Sequence, residues 1–279
     1  SPMDAAKAIW VLYERPDLEP AEINPFIRLD LRRKARLITI PTTSGTGAEV
    51  TWAIVLSDRV EQRKMGLGNR ENAADIAIVD PAMAAGMPPR LTADTGLDAL
   101  THAVEGYTCS WHTDLTDGLC LKAIRNVLSF LPRAVADGSD MEARERLANA
   151  ATCAGLGFGN AMASLAHAMG HALGAIFHVP HGRAVSLFLP YTIDFMGREV
   201  PERFAELAAL IGCSPSTGEG GARALAERIR TLVAQIGNPT RLADLGLQRA
   251  AYEAQLTKLV DHAFNDTQMV TACRGPSYE

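Results

Sequence analysis

The sequence predicts an α/β segment followed by an all-helical one. Two observations carry this. Residues 1–87 hold short apolar runs of strand character around a glycine-rich turn. From Pro88-Pro89 onward, apolar residues recur at helical spacing and β-branched alternation disappears. The boundary is therefore placed between 87 and 88.

Taken in order, Ser1-Pro2-Met3-Asp4 reads as a helix opening, with serine as N-cap, proline at the first helical position and an acid in the first turn. That helix covers 1–15 and ends at Arg15-Pro16, because a residue preceding proline avoids the helical region. A chain that opens on a cap is expected to continue a longer one, and we read it as a fragment. Residues 16–35 are proline-rich and charged, a loop. Strand character follows at 37–41, 53–56, 65–67 and 76–79. A whole doubly wound nucleotide domain needs several βαβ units, more than residues 1–85 supply. Helical spacing then covers 92–108, 114–137, 141–158, 161–176, 200–212, 219–236 and 247–264, with Asp94 as N-cap of the first.

Composition narrows the function classes. With 47% hydrophobic and 21% charged residues, the chain has material for a core and is not disordered. A net charge of −5 leaves no basic stripe to neutralise phosphates, against a dedicated nucleic-acid binder. No apolar run reaches the ~20 residues needed to cross a bilayer, and no signal-peptide pattern opens the sequence. The five cysteines (Cys109, Cys120, Cys153, Cys213, Cys273) form no CxxC pair and read as reduced thiols of a cytoplasmic protein.

Chemistry concentrates in the histidines. Four of seven, His167, His171, His178 and His181, fall within fifteen residues. His167 and His171 are four apart and share a helix face, as do Asp98 and His102 upstream. Two helices each offering carboxylate or imidazole at that spacing suit one metal ion, Fe(II), Zn(II), Co(II) or Ni(II). Spacing alone leaves open which histidines bind. His112 and His262 stand apart in sequence and read as structural.

Thr42-Thr43-Ser44-Gly45-Thr46-Gly47 suits close approach to phosphate oxygens or an amide, although a tight turn is its plainer reading. Gly155, Gly157 and Gly159 mimic a dinucleotide fingerprint, but with no strand ahead of them they read as close helix packing. Asp117, Glu105, Met83, Met87, Met162 and Met169 read as core or solvated residues.

The combination resembles the iron-containing (group III) alcohol dehydrogenases of the dehydroquinate-synthase-like superfamily. The carrying segments are SPMDAAKAI, IPTTSGTGAEVT, AIVDPAMAAGMPPRLTADTGLDALTHAVEGY and LAHAMGHALGAIFHVPHG, in the family's order. The resemblance implies two domains. Residues 1–87 would be the C-terminal part of an α/β dinucleotide-binding domain, and 88–279 an all-helical metal-binding domain, with the active site in the cleft. By motif, the metal ligands fall on Asp98, His102, His167 and His181, and His171 lies beside nicotinamide and substrate as the proton-relaying catalytic residue. Ser1, Pro2, Asp4, Thr42, Thr43, Thr46, Thr51, Lys64 and Met87 match cofactor-binding positions.

The implied activity is hydride transfer between a small primary alcohol or diol, or its aldehyde, and NAD or NADP, with Fe(II) as Lewis acid on the substrate oxygen. A homodimer is expected of the full-length protein, and Phe158, Cys153 and Trp111 are candidates for the substrate cleft. The chain departs from the family pattern at Ala53, at Arg274-Gly275, and in lacking the glycines ahead of Ser1. The alternatives are a glycerol-dehydrogenase-like or dehydroquinate-synthase-like metalloenzyme, a non-haem iron oxygenase, and an inactive metal-binding fragment.

Overall fold

The computed structural model describes residues 2–58, 63–213 and 219–278. Ser1, one of the expected cofactor contacts, lies outside the described residues. Helix α1 covers Pro2–Glu14, and the strands are β1 (Ile38–Thr39), β2 (Ala53–Asp58), β3 (Arg63–Gly68) and β4 (Ile76–Ala77). β2 and β3 form an antiparallel hairpin with Ala53 opposite Gly68, whereas β1 and β4 pair in parallel, Ile38 opposite Ile76. Trp10, Val11, Ile23, Leu29, Leu31 and Ile54 make a small core between α1, the loop and the hairpin. Each large aliphatic buried there contributes roughly 1.5–3 kcal/mol.

The loop of residues 16–36 holds its shape through two carboxylates. Glu14 accepts the backbone N–H groups of Arg33, Lys34 and Ala35, and Glu71 accepts those of Leu29, Asp30 and Leu31. Six main-chain donors that no strand pairs are satisfied in this way. The β1–β4 pair leaves Ile38, Ile40, Ile76 and Ile78 exposed.

The helical part consists of α2 (Pro89–Thr108), α3 (Asp114–Ala136), α4 (Met141–Ala161), α5 (Leu165–Phe177), α6 (His181–Met196), α7 (Pro201–Leu210), α8 (Glu219–Gln235), α9 (Arg249–Ala254) and α10 (Leu256–Phe264). α2, α3 and α4 pack mutually, α6 lies against α2 and α5, and α10 covers α5. The core runs through Leu97, Leu100, Val104, Ile124, Leu131, Leu173 and Leu189.

Three expectations need correction. First, α2 starts at Pro89 with Pro88 as its cap, so Asp94 sits one turn inside. Its buried carboxylate accepts from Arg183 and from the Asn238 side chain instead of capping. Second, α6 has no counterpart in the periodicity. It contains Pro190, and a proline inside a run reads in sequence as a helix break. Third, the helix expected over 247–264 is broken at Gln255 into α9 and α10.

Two features bring the α/β part close to the bundle. The TTSGTG turn rests on α4, where a Cβ on Gly155 would lie 2.9 Å from the Gly47 Cα, and Gly47 itself has φ +60°. The glycines of α4 thus serve close packing. Arg144 of α4, buried, donates to the carbonyls of Gly138 and Met87 and to the Thr92 hydroxyl, gripping the connection into α2.

Candidate metal centre and adjoining cleft

Asp98 and His102 face the same way because they stand four apart on α2. His167 and His171 do the same in the first two turns of α5. α5 ends at His178 in the left-handed region, φ 55°, and Val179-Pro180 turns the chain so that His181 becomes the first residue of α6. Gly182 permits this approach: a Cβ there would stand 2.0 Å from the Asp94 carbonyl oxygen.

Ligand-type atoms of Asp98, His102, His167 and His181 consequently lie within 4.8 Å of one another. Asp98 Oδ1 stands 3.7 Å from His102 Nδ1, 3.7 Å from His167 Nε2 and 3.3 Å from His181 Nε2. Asp98 Oδ1, His102 Nδ1 and His167 Nε2 are buried and have no hydrogen-bond partner. Three converging buried atoms without partners are costly unless something is held between them. A carboxylate with three imidazoles is donor chemistry that a borderline divalent cation accepts. The residues therefore fit such an ion.

The electrostatics follow from this crowding. Burial works to raise the Asp98 carboxyl, but His102 and His181 beside it hold it well below the ordinary carboxylate range. Burial and the neighbouring imidazoles keep His102 neutral, outweighing Asp98. His167 goes the other way: burial is overcome by Glu105 and Asp98, which push it up to about 9. Its Nδ1 lies 2.5 Å from Glu105 Oε2. His171 is lowered by burial, with Asp266 opposing, and its Nδ1 is 2.8 Å from Asp266 Oδ2.

A cavity of about 310 Å³ opens beside the cluster, lined by His102, His167, His171 and His181 together with Asp4, Thr46, Thr51, Lys64, Phe158 and Gln268. Four of the expected cofactor residues, Asp4, Thr46, Thr51 and Lys64, thus share one cavity with the histidines. Pro2, Thr42 and Thr43 are not in its lining, and Thr42 is exposed. Met87 is also elsewhere: it is buried where α2 begins, with its carbonyl taken by Arg144. Of the substrate-cleft candidates only Phe158 reaches the cavity, its ring stacked 3.9 Å from His102. Cys153 packs against the helical core, and Trp111 is 56% exposed.

Glu105 and Asp266 were not legible as partners of the histidines. Glu105 carries a signal in retrospect, since Asp98, His102 and Glu105 recur at i, i+4 and i+7 on α2. Asp266 has none, because 95 residues separate it from His171.

One acid and three imidazoles gathered by three helices, beside a cleft with two threonines in its lining, make a donor set that could hold one metal ion. Comparison with known proteins agrees with that reading. Residues 92–279 match the Fe-containing alcohol dehydrogenase family, C-terminal, and residues 1–81 match iron-containing alcohol dehydrogenase. The chain belongs to the iron-containing alcohol dehydrogenase family, a family of oxidoreductases.

It is 38% identical over 276 residues to an NADPH-dependent butanol dehydrogenase of Clostridium saccharobutylicum, covering 99% of this chain and 69% of that protein. An aldehyde-alcohol dehydrogenase of Streptococcus pneumoniae is matched over only 33% of its length. A crystal structure of 1,3-propanediol oxidoreductase superposes with TM-score 0.91 at 33% identity, over 100% of this chain and 72% of that one. Sulfoacetaldehyde reductase from Bifidobacterium kashiwanohense, solved with NAD+, superposes with TM-score 0.85 at 31% identity, over 99% and 70%. No helix among the described residues is long and apolar enough to cross a membrane.

Proposed function

We propose that this chain carries the metal centre and part of the cofactor cleft of an alcohol dehydrogenase. The reaction moves a hydride between NAD or NADP and a small primary alcohol or diol, or its aldehyde. Asp98, His102, His167 and His181 would hold a divalent cation, Fe(II) by family, with Zn, Ni or Co as other occupants. The single observation that carries this reading is the convergence of four ligand atoms within 4.8 Å, three of them buried and unpartnered.

A bound cation would supply Lewis acidity at a substrate oxygen. The chain's own residues do the rest. Phe158, Val55 and Ala163 present apolar surface to the cavity and limit water around the reacting carbon. Thr46, Thr51, Lys64 and Asp4 offer hydroxyl, ammonium and carboxylate groups to orient the nicotinamide side. His171 is the proton-handling residue: with Nδ1 bonded to Asp266, Nε2 is left to exchange a proton with the alcohol or a ribose hydroxyl. Pro2, Thr42, Thr43 and Met87 would then act on more distant parts of the cofactor, or through the backbone.

In this reading residues 1–87 belong to the cofactor domain and 88–279 form the metal domain. The working protein is a homodimer in the cytoplasm, in keeping with its five free cysteines. The test is an anaerobic preparation loaded with Fe(II) and assayed with NAD and NADP against two- to eight-carbon alcohols and diols. Metal-dependent NAD(P)H formation is expected. Stoichiometric metal without turnover of any alcohol would overturn the assigned reaction.

A further inference from the structure

We infer that Glu105 is a positioning residue for His167, fixing which of its ring nitrogens faces the cation. The inference rests on the reading that Asp98, His102, His167 and His181 hold a divalent metal.

Glu105 is fully buried. Its carboxylate takes three N–H groups, all from the start of α5. Oε2 accepts from the Ser164 backbone at 3.0 Å and from His167 Nδ1 at 2.5 Å, and Oε1 accepts from the Ala166 backbone at 2.6 Å. Ser164 precedes α5 but makes no side-chain cap bond. Glu105 therefore supplies the missing cap from another helix, satisfying two of the free donors at that end. The same carboxylate ties α2, which carries Asp98 and His102, to α5, which carries His167.

The consequence for His167 follows from donor and acceptor rules. A carboxylate only accepts, so Nδ1 must carry the proton it shares with Glu105. With a cation held in the cluster, Nε2 is the lone-pair nitrogen left to face it, and it is the buried, unpartnered atom 3.7 Å from Asp98 Oδ1. The opposite tautomer would set a lone pair against the carboxylate and aim an N–H into the ligand cluster. Glu105 thus selects the ligating nitrogen, fixes the ring plane and raises the imidazole's donor strength. His102 shows the contrast: its Nδ1 is the atom turned toward Asp98, and that nitrogen has no hydrogen-bond partner.

The test compares wild type, Glu105→Gln and Asp98→Asn, each stripped of metal and titrated with Co(II) against a competing chelator. The melting temperature of each metal-free protein is recorded alongside. Glu105→Gln is expected to bind Co(II) roughly ten- to a hundredfold more weakly, and Asp98→Asn to lose binding altogether. If Glu105 only caps α5, Glu105→Gln will melt lower while binding Co(II) as tightly as wild type, and the inference fails alone. If wild type binds no Co(II), or Asp98→Asn binds it equally well, the metal reading itself fails.

A second measurement does not depend on any variant folding. In Zn(II)-loaded wild type, ¹⁵N NMR of the histidine rings should give His167 as the Nδ1–H tautomer. An Nε2–H ring there would overturn the inference.

Discussion

His171 Nδ1 lies 2.8 Å from Asp266 Oδ2, joining the middle of α5 to the 3-10 turn Thr267–Thr271 that follows α10. Asp266 also accepts from the Gln268 backbone, so its carboxylate is held from two sides. The pairing leaves His171 Nε2 for the cavity. Asp266→Asn should therefore lower kcat at least about tenfold, the lower part of what a positioned proton-transfer group contributes, with KM for the alcohol little changed. Steady-state kinetics decide the point: an unchanged kcat removes Asp266 from the proton path.

His181→Ala should strip the metal without unfolding the chain. The side chain is 36% exposed at the first residue of α6, so its loss leaves no core cavity. Metal analysis after dialysis should fall from stoichiometric to near nothing while the far-UV spectrum is kept. Full metal retention would exclude His181 as a ligand.

Gly182→Ala tests the approach of α6 to α2. The added Cβ would fall 2.0 Å from the Asp94 carbonyl oxygen, and a backbone atom cannot swing aside. The strain should cost about 1–3 kcal/mol, lowering Tm by several degrees, and should weaken metal binding by displacing His181. Calorimetry and metal titration check both effects.

Lys7 gives a pH signature. Its ammonium is buried and donates to the Thr51 and Ala53 carbonyls. Burial lowers it to about 8 from an ordinary 10.5, against the pull of Asp4 and Glu49. Between these values the unfolded chain holds a proton that the folded chain has released, so this group's contribution to stability rises with pH. Below about 8 both states are charged and its burial cost is constant. Relative to Lys7→Met, the wild type should gain on the order of 3 kcal/mol between pH 8 and 10.5. Urea unfolding of both proteins at several pH values measures the difference, and thiol titrations common to both cancel. A difference that stays flat with pH would exclude a lowered Lys7.

Much of the fold was legible because it is written locally. The i, i+4 pairs Asp98/His102 and His167/His171 lie within single helices, where sequence distance fixes spatial distance. The strand segments and most helices follow from apolar period and from proline. Helix α6 was hidden because Pro190 inside it reads as a helix break. The true role of Asp94 was hidden because an acid near a helix start reads as a cap, and only the arrival of Arg183 and Asn238 makes it a buried ion-pair partner.

By itself, then, the sequence determined the helices, the histidine pairs and the family. Spacing left open whether His178 or His181 joins the cluster, and the resemblance chose His181. Tertiary structure brings that residue there, and it alone decided that Glu105 stands behind His167 and that Asp266 stands behind His171. Those outcomes depend on contacts between α2, α5, α6 and the C-terminal turn, over 62 and 95 residues in the two carboxylate pairs. No local period encodes such contacts. They are fixed by how helices pack and how the chain turns between them, at Gly182 beside Asp94 and at the left-handed His178.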